Sequence, residues 1–327
     1  MTESIGSPIF WGSFTLVVLF ILALDLGVFN RKVHAIGMRE ALLWSVVWVI
    51  LSSAFGIGVY WKFGAQKGLE FFAGYLIEYA LSVDNIFVFI LIFNYFAVPK
   101  ELHHRVLFWG IVGALILRAV FILLGAALLS RFHWIMYVFG GFLVLTGIKI
   151  LRGGDTEVHP EKNPVVRVFQ RLIPLVSEYR GGKFFIRQDG KTYATALALV
   201  LVTVETTDVV FAVDSIPAIF AVSLDPFIVF TSNICAILGL RSMYFLLAAV
   251  MGRFIYLNVG LGIVLAFVGV KMLLTDLYKI PIGISLGVVA LVLLGSILIS
   301  ILRPPKPVPG VASIPKIPLV ESSPKED

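Results

Sequence analysis

The sequence predicts an all-α membrane protein of about nine transmembrane helices, N-terminus outside and C-terminus inside, built around an inverted three-helix repeat. Three observations carry that expectation. Of 327 residues, 59% are hydrophobic and 14% charged, against about 25% charged in a soluble domain. The apolar residues come in runs near or above the ~20 that cross a bilayer, much longer than the ~10-residue segments of a membrane barrel. Lys and Arg gather in alternate loops, which orients the chain.

Nine runs qualify as spans, at 8–29, 41–61, 69–97, 105–129, 133–151, 192–222, 226–250, 255–273 and 281–302. The first lacks a basic n-region and an A-x-A site, so it reads as a span and not as a cleaved signal. The third and sixth are overlong, which suits tilted or broken helices. Loops 30–40, 98–105, 152–191 and 251–254 and the segment from Arg303 hold 18 Lys and Arg, whereas the opposite loops hold Lys62, Lys67, Arg131 and Lys279. This asymmetry sets the orientation. It also accounts for the net charge of +6 without any nucleic-acid partner.

Residues 1–302 read as one transmembrane domain with repeat units 69–151 and 192–273 and a cytoplasmic loop at 152–191. In that loop, Val165 to Val176 predicts a short amphipathic helix with Arg167 and Arg171 on one face. Residues 183–195 predict a hairpin turning at Asp189-Gly190. The loop is a connector on the simplest reading and a docking surface for protein partners on the other. The Pro-rich segment 303–327 predicts a disordered cytoplasmic tail.

The repeat is visible directly. Residues 129–151 match 251–273 at a constant offset of 122, pairing Arg131 with Arg253, Gly140 with Gly262, Gly147 with Gly269 and Lys149 with Lys271. LILRAVFILL and LGLRSMYFLL pair Arg118 with Arg241. Upstream, Glu78 and Asp84 are six residues apart, as are Asp208 and Asp214. Spans 3–5 therefore recur as spans 6–8, and an odd-numbered unit recurs inverted. Secondary transporters share this architecture and bind cargo near the midplane at the repeat interface.

Acids at bilayer depth are costly and mark functional sites. Glu78, Ser82 and Asn85 share one face of an ideal helix, with Asp84 ~120° away. Glu205 and Asp208 lie one turn apart, with Asp214 again ~120° off. The acids meet only if each helix unwinds locally or lines a cavity, and Pro217 supplies a cause for a kink in the second copy. Glu78, Asp84, Glu205, Asp208 and Asp214 bring five formal negative charges, of which Arg118 and Arg241 offset two. The surplus fits a divalent cation with a protonated acid, since unpaired buried ions are expensive.

With Asn85, Ser82, Ser215, Thr206, Thr207 and Asn233, these are hard oxygen donors suited to Mg²⁺, Ca²⁺ or Mn²⁺. All five histidines fall in loops or at span ends. Cys235 reads as apolar packing, and as the chain's one cysteine it excludes an intrachain disulfide. Lys149 and Lys271 read as snorkelling residues, Asp225 before Pro226 as a helix cap, and Asp25 as a partner for Arg31 or Lys32. No P-loop, nucleophile elbow or HExxH points to an enzyme, and no cofactor is expected because the metal is cargo.

At LALDLGVFNRK, EYALSVDNIFVF, the stretch from KFFIRQDG to LRSMYF, and VGVKMLL, the chain resembles the TerC/Alx family of integral membrane proteins. The resemblance covers most of positions 20–275. It implies a multi-pass inner-membrane protein tied to tellurite resistance and Mn²⁺ efflux, with the family's acidic pattern on Glu78, Asp84, Glu205, Asp208 and Asp214. Two functions are therefore carried forward. One is a secondary transporter exporting a divalent metal, with Mn²⁺ the choice the resemblance implies. The other is a non-transporting membrane scaffold for envelope-stress or secretion complexes.

Overall fold

The computed structural model describes residues 4–24, 37–152, 163–176, 178–188, 190–249 and 256–302; the side chains of Asp84 and Asp214 lie outside the described set. So do Asp25 with Arg31 and Lys32, Asp189 of the hairpin turn, Arg253, and the Pro-rich segment. Each of the nine apolar runs contains helix: α1 (Pro8–Leu24), α2 (Met38–Phe63), α3 (Ala65–Tyr95), α4 (Lys100–Arg131), α5 (Ile135–Leu151), α7 (Ala196–Phe220), the pair α8 (Pro226–Leu238) and α9 (Leu240–Ala249), α10 (Leu257–Leu273) and α11 (Ile282–Leu302). Helices α2, α3, α4, α7 and α11 are long and apolar enough to cross a membrane, and a sixth span results if α8 and α9 count as one. Helices α1, α5 and α10 are apolar but shorter, at 17 residues each.

Outward-facing Leu, Ile and Phe cover these helices, among them Leu19, Ile50, Leu123, Leu145, Leu291 and Leu298. An apolar surface this continuous belongs in lipid. Helix α3 is the axis of the molecule. Phe71, Ile77, Ile86, Ile92 and Phe93 are wholly enclosed, and α3 packs against α2, α7, α8 and α11. Gly64 alone separates α2 from α3, at φ 93°. Only glycine takes that conformation without strain, and it reverses the chain in one residue.

Helices α5 and α10 make the closest pairing. A Cβ on Gly140 would meet the Gly269 carbonyl oxygen at 3.0 Å, and one on Gly147 would meet that of Gly262 at 2.6 Å. Conversely, a Cβ on Gly262 would meet the Gly147 oxygen at 3.0 Å, and one on Gly269 that of Gly140 at 2.7 Å. The order is antiparallel. Small residues let the two backbones touch, which is how helices associate where lipid is as apolar as leucine.

The two overlong runs, expected to be tilted or broken, are each one continuous helix through the acidic stretch. Helix α3 is continuous through Glu78 and Asn85, and α7 is continuous through Glu205 to Phe220. Pro217 stands in the last turn of α7, so its missing N–H removes one helical bond where little helix remains to bend. The sharp bend, 41°, falls instead between α8 and α9, at Gly239. There the Gly239 N–H turns to the Ile237 carbonyl. The Cys235 carbonyl, its usual helical partner, accepts from Ser52 Oγ of α2 at 3.5 Å. A neighbouring hydroxyl takes over the freed backbone group, as a break inside a membrane requires.

The 152–191 loop holds α6 (Pro164–Leu172), β1 (Leu175–Val176) and β2 (Phe185–Gln188), followed by β3 (Lys191–Thr195) leading into α7. The amphipathic helix stops at Leu172, short of the Val176 expected. Pro174 disfavours helix at Ile173, and Leu175–Val176 instead pairs in parallel with Ala194–Thr195. Strands β2 and β3 form the expected antiparallel hairpin, from Phe185↔Ala194 to Gln188↔Lys191. The described residues are thus mostly helical, with one three-stranded sheet of order β1-β3-β2.

Candidate functional site

Midway along α3, Glu78 and Ser82 lie on one face as their four-residue spacing requires, and Ser82 Oγ donates to Glu78 Oε1 at 3.5 Å. Arg118 reaches in from α4, where it is 1% exposed. Its Nη1 donates to Glu78 Oε1 and, at 3.1 Å, to Ser215 Oγ of α7. Its Nη2 lies 3.9 Å from Asp208 Oδ1, also on α7. Asn233 of α8 closes the far side, its Nδ2 donating to Glu78 Oε2 at 2.9 Å. Four helices thus meet at one buried ion pair, and its guanidinium joins the two acidic stretches. Taking these charges out of water is costly, and mutual pairing offsets that cost only where the geometry is close.

Three atoms in this cluster are fully buried without a hydrogen-bond partner among the described residues: Asp208 Oδ2, Asn233 Oδ1 and Arg118 Nε. Buried polar atoms are almost always satisfied, so these three are left for a water or an ion to meet. A small cavity of ≈ 10 Å³ lies beside them, lined in part by Asn85, Arg118, Asp208, Gly110 and Ala114. That is about the space one water-sized guest needs.

Glu205 is on α7 one turn before Asp208, and its carboxylate lies against Gly113 of α4 in the space a side chain there would fill. Arg241 lies in the first turn of α9, just past the bend at Gly239. Glu78, Ser82, Asn85, Arg118, Asp208, Ser215 and Asn233 are therefore brought together, with Glu205 adjacent. Asp84 and Asp214 sit on the same two helices with their side chains outside the described set. Among the described residues no group of three or more His, Cys, Asp or Glu is arranged to hold a metal. The two described carboxylates that meet do so through Arg118. Among the described side chains of this cluster, Glu78, Glu205 and Asp208 bring three formal negative charges and Arg118 one positive.

Two features escaped the sequence reading. Gly113 belongs to the small-residue run WGIVGALILRA, and only contact with Glu205 distinguishes it from ordinary packing glycines. Asn163 caps α6, accepting from the N–H groups of Val165 and Val166. It also donates to Thr206 Oγ1 at 2.9 Å. The loop is thereby fastened to α7 at the residue after Glu205. A second fastening is Tyr179, whose hydroxyl donates to the Phe96 carbonyl at 2.7 Å. Burial pushes that phenol up to about 12, so it stays a neutral donor at neutral pH.

At the end of the bundle opposite the sheet, Asp225 caps α8 through the Phe227 N–H at 3.0 Å, as its place before Pro226 predicts. It also pairs with Lys67 at 3.5 Å. Glu70 bonds Lys67 and Ser223. These groups and Lys271 line a cavity of ≈ 660 Å³. Lys271 is half-buried there, whereas its repeat partner Lys149 is exposed.

The described geometry sits within a region that matches the integral membrane protein TerC family over residues 63–306. The chain is 52% identical to "Uncharacterized membrane protein STKORF319" of Myxococcus xanthus, over 96% of this chain and 98% of that protein. It is 48% identical to "Putative membrane-bound redox modulator Alx" of Photorhabdus laumondii, over 91% and 96%. The protein of that name in Escherichia coli K12 is also 48% identical, over 88% and 92%. No solved structure matches.

Proposed function

Because this chain belongs to the TerC family of integral membrane proteins, we propose that it is a secondary transporter exporting a divalent cation, with Mn²⁺ as cargo, across the inner membrane. The observation that carries this is the buried junction of the two acidic stretches, Glu78–Arg118–Asp208, with the orphaned oxygens Asp208 Oδ2 and Asn233 Oδ1 beside it. Carboxylate and amide oxygens suit Mn²⁺, Mg²⁺ and Ca²⁺. The manganese choice rests on the resemblance.

The nine spans, the N-out orientation and the inverted repeat are part of this reading. The glycine contacts support the repeat. Exchanging the sequence-matched positions, 140 for 262 and 147 for 269, turns the Gly140–Gly269 contact into the Gly262–Gly147 contact. A self-complementary interface of that kind has two-fold symmetry. Seventeen residues lie at the short end of the range that crosses a bilayer, so α1, α5 and α10 count as spans. The ⁵⁴Mn²⁺ flux of purified protein in liposomes tests the proposal, with Ca²⁺ and Mg²⁺ as competitors and a pH gradient imposed. Uptake dependent on the protein and lost in the Glu78→Gln/Asp208→Asn double variant is expected; flux no faster than empty liposomes would leave the scaffold reading in its place. A redox role, as the name of the Alx relatives suggests, has no thiol pair within one chain to act through, since Cys235 is the chain's one cysteine.

A further inference from the structure

We infer that Arg118 is a tethered cation that shares the transport site with the ion: it exchanges places with the divalent cargo between Glu78 and Asp208 during each cycle. This rests on the transporter reading and adds to it how the carrier returns without cargo. Arginine stays charged at any working pH, so the positive charge Arg118 supplies needs no proton. Its guanidinium engages Glu78, Asp208 and Ser215 together. Those carboxylates are the ones a hard cation would take, and a divalent ion and a guanidinium on the same oxygens repel. The cargo therefore has to displace Arg118.

The geometry leaves room for that exchange. Asp208 is held at one oxygen and open at the other, and Asn233 offers Oδ1 while Nδ2 holds Glu78. The cluster thus keeps two oxygens, Asp208 Oδ2 and Asn233 Oδ1, that Arg118 does not occupy. Once the ion leaves, the guanidinium again cancels charge on both α3 and α7. Those helices carry the two halves of the site, so the return of Arg118 also rejoins the repeats. A residue serving only to pair helices has no reason to compete with cargo.

The test separates exchange from net movement. Liposomes carrying the full chain are loaded with Mn²⁺ and assayed for ⁵⁴Mn²⁺ tracer exchange, with Mn²⁺ on both sides, and for net efflux into Mn²⁺-free buffer. Mn²⁺ binding is measured by calorimetry on detergent-purified protein. For Arg118→Gln, apparent Mn²⁺ affinity should rise by about tenfold or more, because the fraction of sites closed by the tethered charge is removed. Tracer exchange should persist while net efflux is lost, since only net efflux requires the cargo-free carrier to return. Arg118→Lys keeps the charge and should retain net efflux in part. Unchanged or weaker Mn²⁺ binding by Arg118→Gln, net efflux equal to wild type, or loss of exchange along with net efflux would each overturn the assignment. If Arg118→Gln does not fold, Ser215→Ala decides: loosening Arg118 from one partner should raise Mn²⁺ affinity with exchange intact, and no rise overturns the inference. Wild-type protein that moves no Mn²⁺ sinks the transporter reading itself. Wild-type flux with a failed Arg118 series sinks this inference alone.

Discussion

The carboxylate of Glu205 on α7 rests directly on Gly113 of α4, in the space a methyl group at that position would fill. Gly113→Ala should therefore push the carboxylate away from its place beside Asp208. Overpacking of this kind typically costs about 1–3 kcal/mol. Thermal unfolding in detergent should show a modest loss, and Mn²⁺ flux should fall much further than that loss accounts for. A variant with wild-type flux would mean that the position of Glu205 does not matter to transport.

Removing Glu78 strands a buried guanidinium. Breaking one partner of a buried ion pair costs about 3–5 kcal/mol, whereas removing both partners costs less. Glu78→Ala should be strongly destabilised, and Glu78→Ala/Arg118→Met should recover much of the difference. The check is a double-mutant cycle in denaturing mixed micelles. Strict additivity would show that the two side chains do not depend on each other.

The α5–α10 contact predicts an unusual sensitivity to small substitutions. A methyl at Gly147 meets backbone on two sides, the Gly262 carbonyl and the Ala266 N–H, so neither neighbour gives way by rotating. Gly147→Ala should lower the unfolding temperature by more than Gly141→Ala does, since nothing lies within 4 Å of a Cβ at Gly141. Equal shifts would count against close backbone contact.

Asn163 holds the loop to α7 by one hydrogen bond and caps α6 with two. Asn163→Ala should cost about 1 kcal/mol, the usual worth of a cap. Hydrogen exchange should accelerate at the Val165 and Val166 amides, with α7 unchanged beyond Thr206. Protection of those amides equal to wild type would show that β1 and Tyr179 alone hold the loop.

Much of the fold was legible because the bilayer allows few solutions. Long apolar runs can satisfy their backbone only as helices, so helix falls in all nine runs. The amphipathic helix and the hairpin of the 152–191 loop were legible from pattern and turn chemistry, apart from the end of α6, which Pro174 set. The place of the one sharp bend among the described helices was not legible. Overlong runs and Pro217 pointed to α3 and α7, yet the break is at Gly239, where Ser52 from another helix is available to take the Cys235 carbonyl. Which freed carbonyl finds a partner depends on what packs nearby, and one helix's sequence does not carry that information.

The candidate site divides in the same way. By itself the sequence determined which groups are too expensive to bury idly: Glu78, Asp208, Glu205 and their counter-charge Arg118 stand out against apolar runs because the membrane penalises them. It also determined that the glycines of α5 and α10 correspond in pairs. Only the tertiary structure decided that Arg118 belongs to both acidic stretches at once, that Asn233 keeps one oxygen free while holding Glu78, and that Gly113 exists to seat Glu205. The physical reason is that burial cost is a property of one residue and its segment. Pairing is a property of distances between helices, and close packing sets those distances only once all four helices are in place.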